Sequence, residues 1–131
     1  MLLNDAFAGT DVFYITTLHG LAERNHLKDV YVVRDFNRQT PVNALISAVQ
    51  LMRIVFKLRP HYVFSTGAAP GLICMLFAKL LGAKVIWIDS VANAEKLSMS
   101  GSMAKVFADV HLSQWPKVAE KFKSRYEGSV L

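Results

Sequence analysis

What most constrains this chain is a series of short apolar runs that do not alternate with polar residues: Val12–Thr16, Val30–Val33, Tyr62–Phe64, Lys84–Ile88 and Val110–Ser113. A strand with one wet face alternates, whereas a strand buried on both faces reads as a continuous β-branched and aromatic run. Segments of helical character separate most of these runs. That order of elements belongs to a parallel sheet with helices on both of its faces, each crossover being right-handed. The expected fold class is therefore α/β, and 131 residues suit one domain spanning residues 1–131. A hydrophobic share of 53% excludes a disordered chain.

The clearest helix is expected over Pro41–Leu58. Proline suits a first helical turn, and Thr40 is placed to cap it. Leu45, Val49, Met52 and Phe56 recur at helical spacing, while Arg53, Lys57 and Arg59 gather toward the C-terminal end, where cations complement the helix dipole. Ile46, Leu51, Ile54, Val55 and Leu58 widen the apolar face beyond half the circumference. Burial between the sheet and a partner explains such a face, and so does contact with a lipid surface. A second helix is expected over Leu72–Leu81, closed by Gly82. Thr17–Lys28 reads as a loop with a short helix, Val91–Ser102 as a segment without an element, Met103–Ala108 as a short helix and Pro116–Tyr126 as a basic amphipathic helix.

Pro60–Ala78 carries no charged residue, but Ser65-Thr66-Gly67 and Pro70-Gly71 interrupt it, so it reads as strand, turn and helix rather than a membrane span. Met1–Asp5 lacks the basic start and apolar stretch of a signal peptide. The balance of 15 Lys+Arg against 10 Asp+Glu is uneven, with no acid between Phe36 and Ile88 but Arg38, Arg53, Lys57, Arg59, Lys79 and Lys84 within it. Anionic lipid, a phosphorylated substrate or an acidic partner would each be attracted. No nucleic-acid pattern accompanies the charge. Cys74, the single cysteine, sits in an apolar run and reads as a core thiol in a reducing compartment. His19, His26, His61 and His111 show no metal-ligand spacing, and Ser65 and Ser90 lack a nucleophile elbow.

Ligands of open parallel sheets bind beyond the carboxyl ends of the strands. Three polar pairs fall there: Thr66-Gly67, Asp89-Ser90 and Gln114-Trp115. Thr66–Gly71 precedes a helix, so its amides can approach an anion, yet it is neither a dinucleotide fingerprint nor a P-loop. Asp89 suits either a sugar hydroxyl, a general base or a loop-fixing role.

Phe13–Thr16, Ser65-Thr66-Gly67, Ile88-Asp89-Ser90 and Gln114-Trp115-Pro116, followed by Tyr126-Glu127-Gly128-Ser129-Val130, carry a resemblance over essentially the whole chain. It resembles the accessory, membrane-anchoring subunit family of the two-part UDP-N-acetylglucosamine transferase of N-glycan assembly. It is more similar still to bacterial relatives in capsule and exopolysaccharide biosynthesis. The resemblance implies a Rossmann-like domain like the N-terminal domain of a GT-B glycosyltransferase. It implies an acceptor-side, membrane-recruiting subunit of a UDP-sugar transferase (N-acetylglucosaminyl- or glucosyl/galactosyl-type), inactive alone. Its partners would be a separate donor-binding catalytic subunit, which holds most of the UDP-sugar site, and a lipid-linked acceptor at the cytoplasmic membrane face, with no tightly bound cofactor, no metal and no nucleic acid. Thr66, Gly67, Asp89, Ser90, Gln114 and Trp115 would face acceptor or partner, and Arg53, Lys57 and Arg59 the membrane or partner; no residue is given a catalytic role. Asp89 stands where the family usually has glutamate.

One departure concerns the start. Relatives open with a strand ending in Ser-Gly-Gly-His, and here Leu2–Phe7 resembles the helix that follows it. The absent strand would lie between the Val12 and Tyr62 strands, which must then pair directly or leave backbone groups unpaired. A truncated domain of reduced stability is the expectation. Two further readings stay open: a stand-alone Rossmann-type nucleotide-binding enzyme, which lacks a glycine-rich loop after its first strand, and a truncated, non-catalytic binding protein.

Overall fold

The computed structural model describes residues 7–37 and 39–129. In chain order the elements are β1 (Tyr14–Thr16), α1 (Leu21–Asn25), β2 (Val30–Val32), α2 (Pro41–Leu58), β3 (Tyr62–Ser65), α3 (Ala68–Leu80), β4 (Lys84–Ile88), α4 (Met99–Ala104), β5 (Val110–Leu112) and α5 (Pro116–Phe122). All five apolar runs form strands and every strand pairing is parallel. Apart from Phe7, the helix expected over Leu2–Phe7 lies outside the described residues, as do Arg38 and Val130-Leu131.

The described strands do not join into one sheet. β3, β4 and β5 form a three-stranded sheet in that order, while β1 and β2 form a separate pair. The Val12 and Tyr62 strands do not pair with each other, and among the described residues no strand lies on their facing edges. Tyr14 N–H donates to the Asp29 carbonyl and Val33 N–H to the Thr16 carbonyl, so Tyr14 and Thr16 face β2 and the peptide groups of Ile15 turn away. Lys84 N–H donates to the His61 carbonyl, which points His61, Val63 and Ser65 toward β4 and turns Tyr62 and Phe64 to the open edge. The two sheets share one core: Ile15 of β1 and Val33, just past β2, join the cluster that holds Val85 and Trp87 of β4.

The faces of the three-stranded sheet differ as much as its edges. Register puts Val63, Ser65, Val85, Trp87 and His111 on one face. There Val85 and Trp87 are fully buried with Leu51 and Val55 of α2, Cys74, Met75 and Ala78 of α3 and Ala104 of α4. On the other face Tyr62 and Phe64 stay exposed. Parallel sheets are normally covered on both sides; here the α2–α3–α4 layer seals one face and the other is partly open.

Local chemistry explains where the elements depart from expectation. α2 has the expected bounds and Pro41 in its first turn, but Thr40 gives it no side-chain cap. The Thr40 hydroxyl instead accepts from Asn37 N–H at 3.0 Å, a local turn that competes with capping. α3 starts at Ala68, four residues earlier than expected, because Pro70 falls in the first turn, where its missing N–H costs nothing. It ends as expected on Gly82: with φ at +86°, Gly82 N–H reaches the Lys79 carbonyl and Ala83 N–H the Ala78 carbonyl, both at 3.0 Å. α4 lies over Met99–Ala104 rather than Met103–Ala108, since Ser98 caps it by accepting from Gly101 N–H at 2.8 Å. α5 stops at Phe122, short of Tyr126: Lys123 turns left-handed (φ 54°) and Arg125 returns beside Leu112, its N–H on the His111 carbonyl.

Candidate functional site

β3, β4 and β5 lie side by side, so the loops after them share one end of the sheet and bring Thr66-Gly67, Asp89-Ser90 and Gln114-Trp115 to it. The loop after β3 is tight. Gly67 (φ 130°) and Ala68 (φ 65°) both have positive φ in succession, a conformation natural to glycine and strained for alanine. Gly71 lies so close to the Ser65 hydroxyl that any Cβ there would collide with it. The first turn of α3 thus sits directly on the end of β3, with no side chain capping its amides and with Thr66 exposed beside it.

Asp89 does not face outward, which corrects the reading of it as acceptor- or partner-facing. It is 1% exposed. One carboxylate oxygen accepts from Trp87 Nε1 at 3.2 Å and from the Ser98 hydroxyl at 2.5 Å, and the other accepts from Ser98 N–H at 2.9 Å. Ser98 in turn caps α4. The carboxylate therefore ties the end of β4 to the start of α4, and the loop-fixing role is the one it has. A Cβ on Gly101 would clash with it, so the glycine is what lets α4 approach.

The remaining candidates brace the same corner. The Ser90 hydroxyl accepts from Ala92 N–H at 3.3 Å. The Gln114 amide donates to the Asp89 carbonyl at 3.0 Å and its oxygen accepts from Ser129 at 3.2 Å. Trp115 donates from Nε1 to the Val91 carbonyl at 2.7 Å, leaving its ring about a third exposed. Together they join the loops after β4 and β5 and leave Thr66 and the Trp115 ring exposed, with Ser90 partly so.

Ser98, Gly101 and His111 were not singled out in the sequence as part of this corner. A serine-rich stretch carries little signal; the useful one is Ser98 followed three residues later by a glycine that permits contact. His111 is buried, its Nε2 2.8 Å from the Gly101 carbonyl, while Nδ1 is buried without a partner among the described residues. Burial pushes its pKa below the ordinary value of 6.5, against the Gly101 carbonyl and Asp89, which favour the charged form. It is a structural histidine, as expected; His19, His26 and His61 are exposed.

Arg53, Lys57 and Arg59 are exposed, but they do not join this corner. α2 runs toward the amino end of β3, so Lys57 and Arg59 lie at the opposite end of the sheet from Thr66 and Trp115. Burial pushes the Cys74 thiol up to about 11, which makes it inert at neutral pH. Among the described residues no group of three or more His, Cys, Asp or Glu is placed to hold a metal ion. Asp89 and His111 are both committed to the fold, and the described residues of the corner offer hydroxyl groups and an aromatic ring.

Comparison with known proteins gives this geometry a family. The profile described as "Oligosaccharide biosynthesis protein Alg14 like" matches residues 25–130, most of the chain. The chain belongs to the Alg14-like family. It is 30% identical over 115 residues to the UDP-N-acetylglucosamine transferase subunit ALG14 of Yarrowia lipolytica, covering 80% of this chain and 53% of that protein. It is 34% identical over 102 residues to the subunit of the same name from Schizosaccharomyces pombe (70% and 48% covered) and 29% over 85 residues to the human one (60% and 39%). The chain thus spans about half the length of the first of these Alg14 relatives. The crystal structure of Acinetobacter baumannii MurG superposes with a TM-score of 0.68 at 19% identity, covering 84% of this chain and 35% of that one. That likeness bears out the expected fold, a parallel α/β domain of GT-B type.

Proposed function

We propose that this Alg14-like chain is the acceptor-side, membrane-recruiting subunit of a UDP-sugar glycosyltransferase that builds a lipid-linked oligosaccharide or polysaccharide. A separate subunit would bind the UDP-sugar and carry the catalytic groups. The observation that supports this best is the strand-end corner: the Thr66 and Ser90 hydroxyls and the Trp115 ring are gathered there, while its carboxylate and its histidine are consumed by the fold. Such a surface can hold a sugar or pyrophosphate, while neither Asp89 nor His111 is free to move a proton. The relatives' names, as subunits of a UDP-N-acetylglucosamine transferase, agree with a partner-dependent role.

Membrane recruitment draws on α2. Val42, Leu45, Val49, Met52 and Phe56 form an exposed stripe at alternating three- and four-residue spacing, and Arg53, Lys57 and Arg59 are exposed alongside it. α2 is long and apolar enough to cross a membrane by length and composition alone, yet it packs along α3 and buries Ser47, Leu51 and Val55 inside the domain. A peripheral helix lying in the cytoplasmic headgroup region fits both facts. The capsule or exopolysaccharide setting, and the type of sugar, belong to the same proposal.

The test is transfer of sugar from UDP-N-acetylglucosamine, UDP-glucose and UDP-galactose to a lipid-pyrophosphate acceptor by the donor-binding partner, with and without this chain. Transfer that needs both chains is the expected result. Transfer by this chain alone, or none that depends on it, overturns the reading.

A further inference from the structure

We infer that the whole outer surface of the α2–α3–α4 layer, rather than α2 alone, is the face that rests on an anionic bilayer. It follows that the sheet lies parallel to the membrane and its strand ends open sideways along it. This rests on the membrane reading above and extends it.

Helices flanking a sheet normally turn apolar residues inward and polar ones to water. Here α3 and α4 are apolar outward as well. Leu76 and Leu80 project from α3, away from buried Cys74, Met75 and Ala78. Met99 and Met103 project from α4, and Val106, in the turn after it, is 87% exposed. α2 packs on α3 and α3 on α4, so these residues and the α2 stripe belong to one layer. Scattered apolar side chains need no explanation; outward apolar faces on three neighbouring helices do.

Charge selects the occupant. The sequences of α2, α3 and α4 contain no aspartate or glutamate. Lys79 is held by Asp109 at 2.7 Å, and the cations left exposed on or beside the layer are Arg53, Lys57, Arg59 and Lys105. A surface that is apolar, cationic and spread over three helices complements an extended anionic plane better than a single helix lying in a groove.

Orientation then follows from the fold. α3 and α4 each connect successive parallel strands and so run back along the sheet, and α2 packs on α3 in the same layer. A plane touching all three outer faces is parallel to the sheet, and Thr66, Ser90 and Trp115 stand about one helix diameter, roughly 10 Å, above it. An acceptor whose lipid lies in that plane reaches the corner from the side without leaving the membrane.

The test uses the full chain with vesicles of phosphatidylcholine, with and without phosphatidylglycerol, read by co-sedimentation. Val42→Glu and Leu45→Glu probe α2, Leu80→Glu probes α3, and Met103→Glu and Val106→Glu probe α4. All five positions are exposed, and circular dichroism checks that each variant folds. The expected result is binding that needs phosphatidylglycerol and falls about tenfold for variants on each of the three helices. A spin label on Val106→Cys, with Cys74 too buried to react, should then report insertion into the headgroup region. Loss confined to the α2 variants overturns this inference and leaves the membrane reading standing. Absence of wild-type binding to either vesicle overturns both. A dimer in light scattering that Met103→Glu and Val106→Glu abolish, with vesicle binding unchanged, makes the α4 face a contact between copies and overturns the inference as well.

Discussion

The three-stranded sheet and the β1–β2 pair are made of the same kind of sequence and end up in different states. β4 has a partner on each side and places Val85 and Trp87 at zero exposure beneath α2, α3 and α4. β1 has one partner among the described strands, and all three of its residues stay half-buried. Among the described residues of this region Val33, just past β2, is buried with the main core, where Ile15 packs against it. An apolar run thus signals a strand without saying how well it will be covered. Burial depends on what lies on the adjoining edge, and between β1 and β3 no described strand does.

Core substitutions should therefore separate the two regions sharply. Trp87→Ala removes the largest fully buried side chain and is expected to cost about 3–5 kcal/mol in denaturant unfolding, while Ile15→Ala should cost about 1 kcal/mol. Equal costs would erase the distinction. Asp89→Ala comes next. It strands the Trp87 and Ser98 donors at the end of β4, and a loss of about 2–3 kcal/mol is expected, with Ser98→Ala at about 1 kcal/mol. An unchanged midpoint for Asp89→Ala would show that the carboxylate does not tie β4 to α4.

A smaller effect is expected from His111, and its sign follows from the lowered pKa. The unfolded chain takes up a proton near pH 6.5 and the folded chain only at lower pH, so the unfolded state binds more protons in between. Stability is therefore flat above about pH 6.5 and falls as the pH drops from there toward the folded pKa. His111→Phe should flatten that part of the profile; a wild-type curve that rises on acidification over that range would contradict it. Smallest is Asp109, whose pKa is lowered by the hydrogen bond from Lys79 and that from Val85 N–H. Its contribution is present above pH 3.8 and disappears as the pH falls through its lower folded value, so Asp109→Asn should lower stability slightly at pH 7, less so in high salt, and leave it unchanged at pH values below that folded value.

Much of this was legible in the residues. Five strands, the full span of α2 and the closing role of Gly82 follow from apolar pattern, proline and glycine, all of which act within a few residues. What was not legible depends on contacts across space. α4 was expected four residues late because its cap, Ser98, is held by Asp89, nine positions away. α5 was expected too long because Arg125 leaves the helix to pair beside Leu112. Asp89 had two chemical readings and one structural reading, and only the positions of Trp87 and Ser98 decide among them.

The most direct measurement is residue-resolved amide hydrogen exchange along β3. Alternation turns Val63 and Ser65 toward β4 and Tyr62 and Phe64 toward the open edge. The expected result is slow exchange at Val63 and Ser65 beside fast, nearly unprotected exchange at Tyr62 and Phe64, with Ile15 fast on the facing edge of β1. Uniform protection along β3 would mean that a strand already fills the space between the two sheets, and would contradict the divided sheet on which this account rests.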